Sequence, residues 1–200
     1  MAPEAAGLRA DLLITRLRHS GDVTAAQTLW RLGDRFHLRD VSGRPLNQIL
    51  ADATGERGIG FEPRSKEEIM DTREAMEGTV DVWGDLAAGK AVVRVDDLKP
   101  VTVDVKAVLP LATGLLAGDL AGRAPGGRVR FLDRDCAEYI SELSGTREGA
   151  RWVTKVRTLV AGPHVLLREA VDAATGMGLR TEVTALAEGA VTSAEVTPPK

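Results

Sequence analysis

Residues 8–36 read LRADLLITRLRHSGDVTAAQTLWRLGDRF, and their spacing sets the expectation for the first third of the chain. Leu8, Leu12, Leu13 and Leu17 recur at the intervals of one helical face, so a helix is expected from Leu8 to Arg18. His19-Ser20-Gly21-Asp22 stops it, with His19 where a cationic side chain suits a helix C-terminus. Thr24-Ala25-Ala26-Gln27 matches a capping box, Thr at the cap and Gln three residues on. The second helix then runs to Phe36, burying Ala25, Leu29, Leu32 and Phe36, with Trp30 over the seam. Gly43-Arg44-Pro45 opens a third, shorter helix through Asp52, which places Leu46, Ile49 and Leu50 inward. A further charged helix begins at the capping box Ser65-Lys66-Glu67-Glu68.

Working outward, the period shortens toward 2 after Gly78. Val80–Val82 and Ala91–Val95 are strand candidates. Val101, Val103, Val105 and Ala107 alternate with Thr102, Asp104 and Lys106, as in a half-buried strand. Pro110, Gly114 and Gly118 interrupt the apolar run Leu109–Leu120, leaving helix and loop both open. Val129–Leu132 is a short strand. Asp133 or Asp135 caps a predicted helix in which Cys136, Ile140 and Leu143 share a face. A three-strand meander follows: Trp152–Val160, the Gly162-Pro163 turn, Val165–Val171, the Thr175–Gly178 turn, and Leu179–Ala187. The expected fold class is therefore α+β, with a helical N-terminal third followed by a mainly antiparallel sheet and at least one packed helix. The expected division is a helical region over 1–78, part of the same fold, a sheet and helix region over 79–188, and a polar, frayed tail over 189–200.

The chain has 200 residues, enough to bury a core without disulfides or metals. It is 44% hydrophobic and 28% charged, outside the disordered class. A net charge of -3 and a pI near 5.7 argue against a general nucleic-acid binder. The local exception is Leu8–Arg44, with seven arginines against four aspartates, a spacing that a solvated helix face also gives. The single cysteine, Cys136, excludes an intrachain disulfide and a paired-cysteine zinc or redox motif. No signal-peptide pattern and no long uncharged apolar run occur, so a cytoplasmic, non-membrane protein is expected.

Motifs with chemistry are few. Cys136, near a predicted helix start, is a candidate nucleophile, although Ile140 and Leu143 beside it favour a buried small hydrophobe. His164, after a turn, is the candidate base, with Arg128, Arg130, Arg157 or an acidic group completing a pocket. Gly55–Gly60 lacks the preceding strand of a dinucleotide site, and Gly89-Lys90 is followed by Ala91 where a phosphate loop needs Ser or Thr. The acidic pairs Glu67/Glu68, Asp81/Asp85, Asp96/Asp97 and Asp133/Asp135 fit caps and turns as well as they fit ligands. Neither a cofactor nor a metal site is expected.

Two short resemblances add to this. Leu8–Ala53 loosely resembles a helix-turn-helix module, with Arg44, Asn47 and Gln48 available to a recognition helix. HVLLREAVDAATGMGLRTEVTALAEG, residues 164–189, resembles a sensor-domain hairpin over a small-molecule pocket. The functional expectation is an accessory or regulatory component that binds a small ligand or a protein without catalysis, with a protein partner or self-association. The alternatives are a small cofactor-independent enzyme with a sheet-lined polar pocket, and a DNA-binding regulator using the N-terminal helices.

Overall fold

A computed structural model describes residues 7–17, 22–44, 78–113, 122–147, 150–189 and 191–199, with positions 46, 49 and 120 between them. Among the described residues there are eleven strands: β1 (Leu8–Leu17), β2 (Asp22–Leu32), β3 (Arg35–Asp40), β4 (Val80–Asp85), β5 (Lys90–Val95), β6 (Val101–Asp104), β7 (Gly127–Phe131), β8 (Arg134–Arg147), β9 (Ala150–Ala161), β10 (His164–Asp172) and β11 (Gly178–Glu188). They hydrogen-bond in the order β6-β5-β4-β3-β2-β1-β11-β10-β9-β8-β7. Every described register is antiparallel. The helical elements with both ends described are a 3-10 turn, Val105–Ala107, and α1, Leu109–Thr113.

The helical N-terminal third is thus overturned: Leu8–Leu17, Asp22–Leu32 and Arg35–Asp40 are strands. In β1 the buried residues are Leu8, Ala10, Leu12 and Ile14, an alternation with period 2. Leu13 and Leu17 complete a helical stripe in the sequence only because Ala10 is too small to weigh in the pattern. In β2 the same face carries Ala25, Gln27 and Leu29, all buried. Gln27 does not close a capping box; its Nε2 donates to Asp40 Oδ2 at 2.7 Å. The helix-turn-helix reading over 8–36 falls with these helices. Of the expected 43–52 helix, Leu46 and Ile49 are the only described residues past Arg44, and Ile49 is fully buried. The helix expected from Ser65 lies outside the described residues.

The helix expected after Asp133 is also overturned, since β8 runs through it. Leu132 and Asp133 both have positive φ, 48° and 56°, and form the two-residue turn joining β7 to β8. That turn hand matches the twist of the flanking strands. Ile140, expected to be buried, is 65% exposed.

The chain divides into two compact units. The first comprises 1–11, 25–114 and 185–200, and its central strands present two faces. Leu29 pairs with Leu38, Leu38 with Val82, and Val82 with Val93, so one row of aliphatic side chains crosses four strands. Beside it Phe36 pairs with Gly84, and the ring occupies the space that a side chain at 84 would fill. Val105, Val108, Leu111 and Ala112 are buried in the same unit, and α1 contacts β3. Burial of each large aliphatic or aromatic side chain contributes about 1.5–3 kcal/mol. Asp40, also on this face, is wholly buried and accepts from Gln27, from the Ser42 backbone N–H at 2.9 Å and from Arg44 Nη2 at 2.5 Å.

The second unit comprises 12–24 and 115–184. The expected meander is present as β9, β10 and β11, with the Gly162-Pro163 turn between the first two. A bulge inserts Leu166 between the paired Val165 and Leu167, so three consecutive residues of β10 are buried. Leu120, Val160 and Val165 cluster with Tyr139 against them. One face carries alternating charge: Arg157 Nε donates to Glu138 at 2.6 Å, and Arg180 Nη2 donates to Glu182 at 2.5 Å.

Candidate functional site

The other face of the first unit follows from the same register. Trp30 pairs with His37, and His37 with Trp83, so three flat rings stand in one row on β2, β3 and β4. Their ring centroids are 4.8 and 4.5 Å apart, with interplanar angles of 15° and 13°. The row is extended at both ends. The Arg9 guanidinium on β1 lies 5.8 Å from the Trp30 centroid, and that of Arg94 on β5 lies 5.1 Å from the Trp83 centroid. Each cation meets the negative face of an indole. Five planar groups from five neighbouring strands therefore stack in sequence, Arg9, Trp30, His37, Trp83, Arg94.

Asp81 locks the row from beside it. Its side chain is almost fully buried. His37 Nε2 lies 2.7 Å from Oδ1, and Arg39 Nε donates to the same oxygen at 2.8 Å. Arg39 Nη2 and Arg94 Nη2 donate to Oδ2 at 3.2 and 3.1 Å. Burial pushes the Asp81 carboxyl upward, but the hydrogen bonds from His37, Arg39 and Arg94 outweigh it and hold the group well below the usual carboxylate range. The Arg39 guanidinium is raised in turn, chiefly by its hydrogen bond to Asp81. An ionised carboxylate only accepts, so His37 carries its proton on Nε2. With two donors on each oxygen, Asp81 has no lone pair left for a metal or for proton abstraction. It positions the rings.

A cleft of about 350 Å³ opens along this wall. Trp30, His37, Arg39 and Trp83 line one side, and Ala194, Glu195, Thr197 and Pro199 the other. The segment that supplies the second side was expected to fray. Instead Val191 and Val196 are buried, and the Gly189 N–H donates to the Gly7 carbonyl at 2.7 Å. Thr192 caps Glu195, donating from N and Oγ1 to its carboxylate at 2.7 and 2.8 Å. Those bonds, helped by the charge of Arg9, hold the Glu195 carboxyl below its ordinary range.

The candidate catalytic residues lie in the second unit, whereas Asp81, named from sequence only as half of the acidic pair Asp81/Asp85, is the residue that braces the aromatic row. Cys136 is on β8 and His164 on β10, with β9 between them, about 10 Å of sheet. Cys136 is fully buried, its Sγ 3.6 Å from the Arg134 carbonyl, and burial pushes the thiol up. Arg128 and Arg130 are exposed on β7, and Arg157 is bonded to Glu138. His19 lies outside the described residues. Among the described residues no three His, Cys, Asp or Glu side chains gather as a metal would require. No described helix is long and apolar enough to cross a membrane.

The aromatic row was missed, yet one signal for it exists. If Gly33-Asp34 is taken as a two-residue hairpin turn, Leu32 faces Arg35 and Trp30 necessarily faces His37. Trp83 sits too far along the chain for any such count.

No family model matches the chain, and no curated protein does. Among solved structures, an uncharacterized conserved protein from Thermus thermophilus superposes with a TM-score of 0.47 at 12% identity, over 97% of this chain and 86% of that one. The "putative outer membrane lipoprotein-sorting protein domain" of Vibrio parahaemolyticus superposes with a TM-score of 0.35 at 8% identity, over 95% and 88%. No function is carried over from either.

Proposed function

We propose that the protein is a non-catalytic binding component and that the cleft beside the Trp30–His37–Trp83 row is its ligand site. The carrying observation is the row itself. His37 and Trp83 are buried and Trp30 is half-buried, so the row is a rigid, packed wall with its Trp30 and Arg39 end open to the cleft, and a ligand site needs such a wall. Asp81 and the two flanking arginines hold that wall in place before any ligand arrives, which lowers the ordering cost of binding. Arg39 and Glu195 bring opposite charges to the lining of the cleft, suiting a small ligand that carries both a donor and an acceptor. Saturation of Asp81 favours recognition over chemistry.

The test follows the indole N–H signals of Trp30, Trp83 and Trp152 by NMR during a small-ligand screen. Trp152 is on β9 in the second unit and serves as the internal control. Ligands are expected to move the Trp30 and Trp83 signals together and to lose that effect in Arg39→Gln. Responses confined to Trp152, or none from the cleft, would overturn the reading.

A further inference from the structure

The cleft is walled by a segment of the chain that belongs to no strand. Within Val191–Pro199, backbone hydrogen bonds run from Glu195 N to the Thr192 carbonyl and from Thr197 N to the Ala194 carbonyl. The Thr197 hydroxyl donates to the Ser193 carbonyl at 2.7 Å. The segment is thus a self-contained turn, entered through Gly189, whose φ of 82° is open to glycine. Two of its residues, Val191 and Val196, are buried. It also holds the one Pro-Pro pair of the sequence, Pro198-Pro199, of which Pro199, itself exposed, lines the cleft along with Trp30 and Trp83. Glu195 feels the charge of Arg9, the outermost member of the stack.

We propose that the ligand class of this cleft is a short turn-forming peptide bearing an acidic residue and a proline a few positions on, and that Val191–Pro199 is its intramolecular counterpart. This rests on the binding reading above and specifies its partner. The chemistry is that of proline recognition by aromatic surfaces: proline ring faces are apolar and preorganised, so they lie on indoles at small entropic cost. The acidic residue is drawn to the arginine end of the row. A segment tethered beside its own site has a high effective concentration, so the resident peptide masks the cleft until a competitor displaces it.

The experiment uses the full chain with Trp152→Phe, so that emission comes from Trp30 and Trp83 alone. The probe is the synthetic decapeptide VTSAEVTPPK. A second protein adds Val196→Asp, which puts a charge at one of the two buried valines. Saturable binding is expected to be at least tenfold tighter in the second protein. A probe with both prolines changed to alanine is expected to bind at least tenfold more weakly, and a Glu195→Gln probe to lose salt sensitivity. No saturable response in either protein, or equal binding of the alanine probe, overturns the inference. Should Val196→Asp fail to fold by circular dichroism, hydrogen exchange of the unaltered chain decides. Opening of the Glu195 and Thr197 amides with little denaturant dependence supports release of the segment, and their exchange only with global unfolding overturns it. A silent peptide with small ligands still moving Trp30 and Trp83 removes the peptide class and leaves the binding reading standing.

Discussion

His37 Nε2 sits 2.7 Å from Asp81 Oδ1 while the His37 ring lies flat between Trp30 and Trp83. The imidazole is fixed in its plane by the rings and about its axis by the carboxylate, and the same carboxylate fixes Arg39 and Arg94. One buried acid therefore sets the geometry of the cleft wall.

Asp81→Asn should cost about 2–3 kcal/mol at neutral pH, the scale of hydrogen bonds to a charged group. The pH dependence has a definite sign. The folded-state pKa of Asp81 is depressed below its unfolded value near 4, so its contribution is fully present above that pH. It is lost progressively as pH falls below it. Urea unfolding of both proteins between pH 7 and pH 2 should show the stability gap narrowing only at the acid end.

Gly84→Ala should destabilise the first unit by about 1–3 kcal/mol, because the added Cβ would fall 2.0 Å from Phe36 Cε1. Phe36→Leu shortens the opposing side chain. The double variant should therefore be more stable than the sum of the single changes implies, a coupling that a double-mutant cycle in urea measures directly.

These two sites show what the sequence disclosed. Val80–Val82, Ala91–Val95 and the β9–β11 meander were readable, because Val-rich alternation and Gly-Pro or Thr-Gly breaks act locally. The half-buried strand expected over 101–107 instead ends at Asp104 with Val101 exposed, and Val105–Ala107 is a 3-10 turn. The first forty residues were not. Their core face includes Ala10 and Ala25, too small to mark a period, and Gln27, a polar residue buried for Asp40. The Cys136, Ile140, Leu143 spacing misled for the opposite reason. Ile140 and Leu143 are apolar but exposed, so they imitated a stripe that buries nothing. The cleft required strand register, and Trp83 meets His37 across a length of chain that no local pattern spans.

Cys136 should react slowly. With its sulfur buried and its thiol pushed up, alkylation by iodoacetamide at pH 7.5 should be at least about a hundredfold slower in the folded protein than in urea. Mass spectrometry of the time course checks this. Rapid alkylation of the folded chain would instead revive Cys136 as a nucleophile candidate.

Leu132→Asn with Asp133→Gly should raise stability by about 1 kcal/mol. Both positions have positive φ, which a leucine adopts only under strain and which Asn-Gly satisfies at a two-residue hairpin. The Arg130–Asp133 ion pair lost in the exchange is exposed and contributes little. The midpoint of urea unfolding should move upward with its slope unchanged.

The five-member stack has a consequence for inheritance. Each member comes from a different strand, and successive side chains of a strand point to opposite sides. Inserting or deleting one residue within β2, β3 or β4 would turn that strand's ring to the opposite side and carry a leucine, phenylalanine or glycine into its place. Drift in strand length is therefore tolerable only in the turns, and the stacked row doubles as a gauge of correct strand alignment.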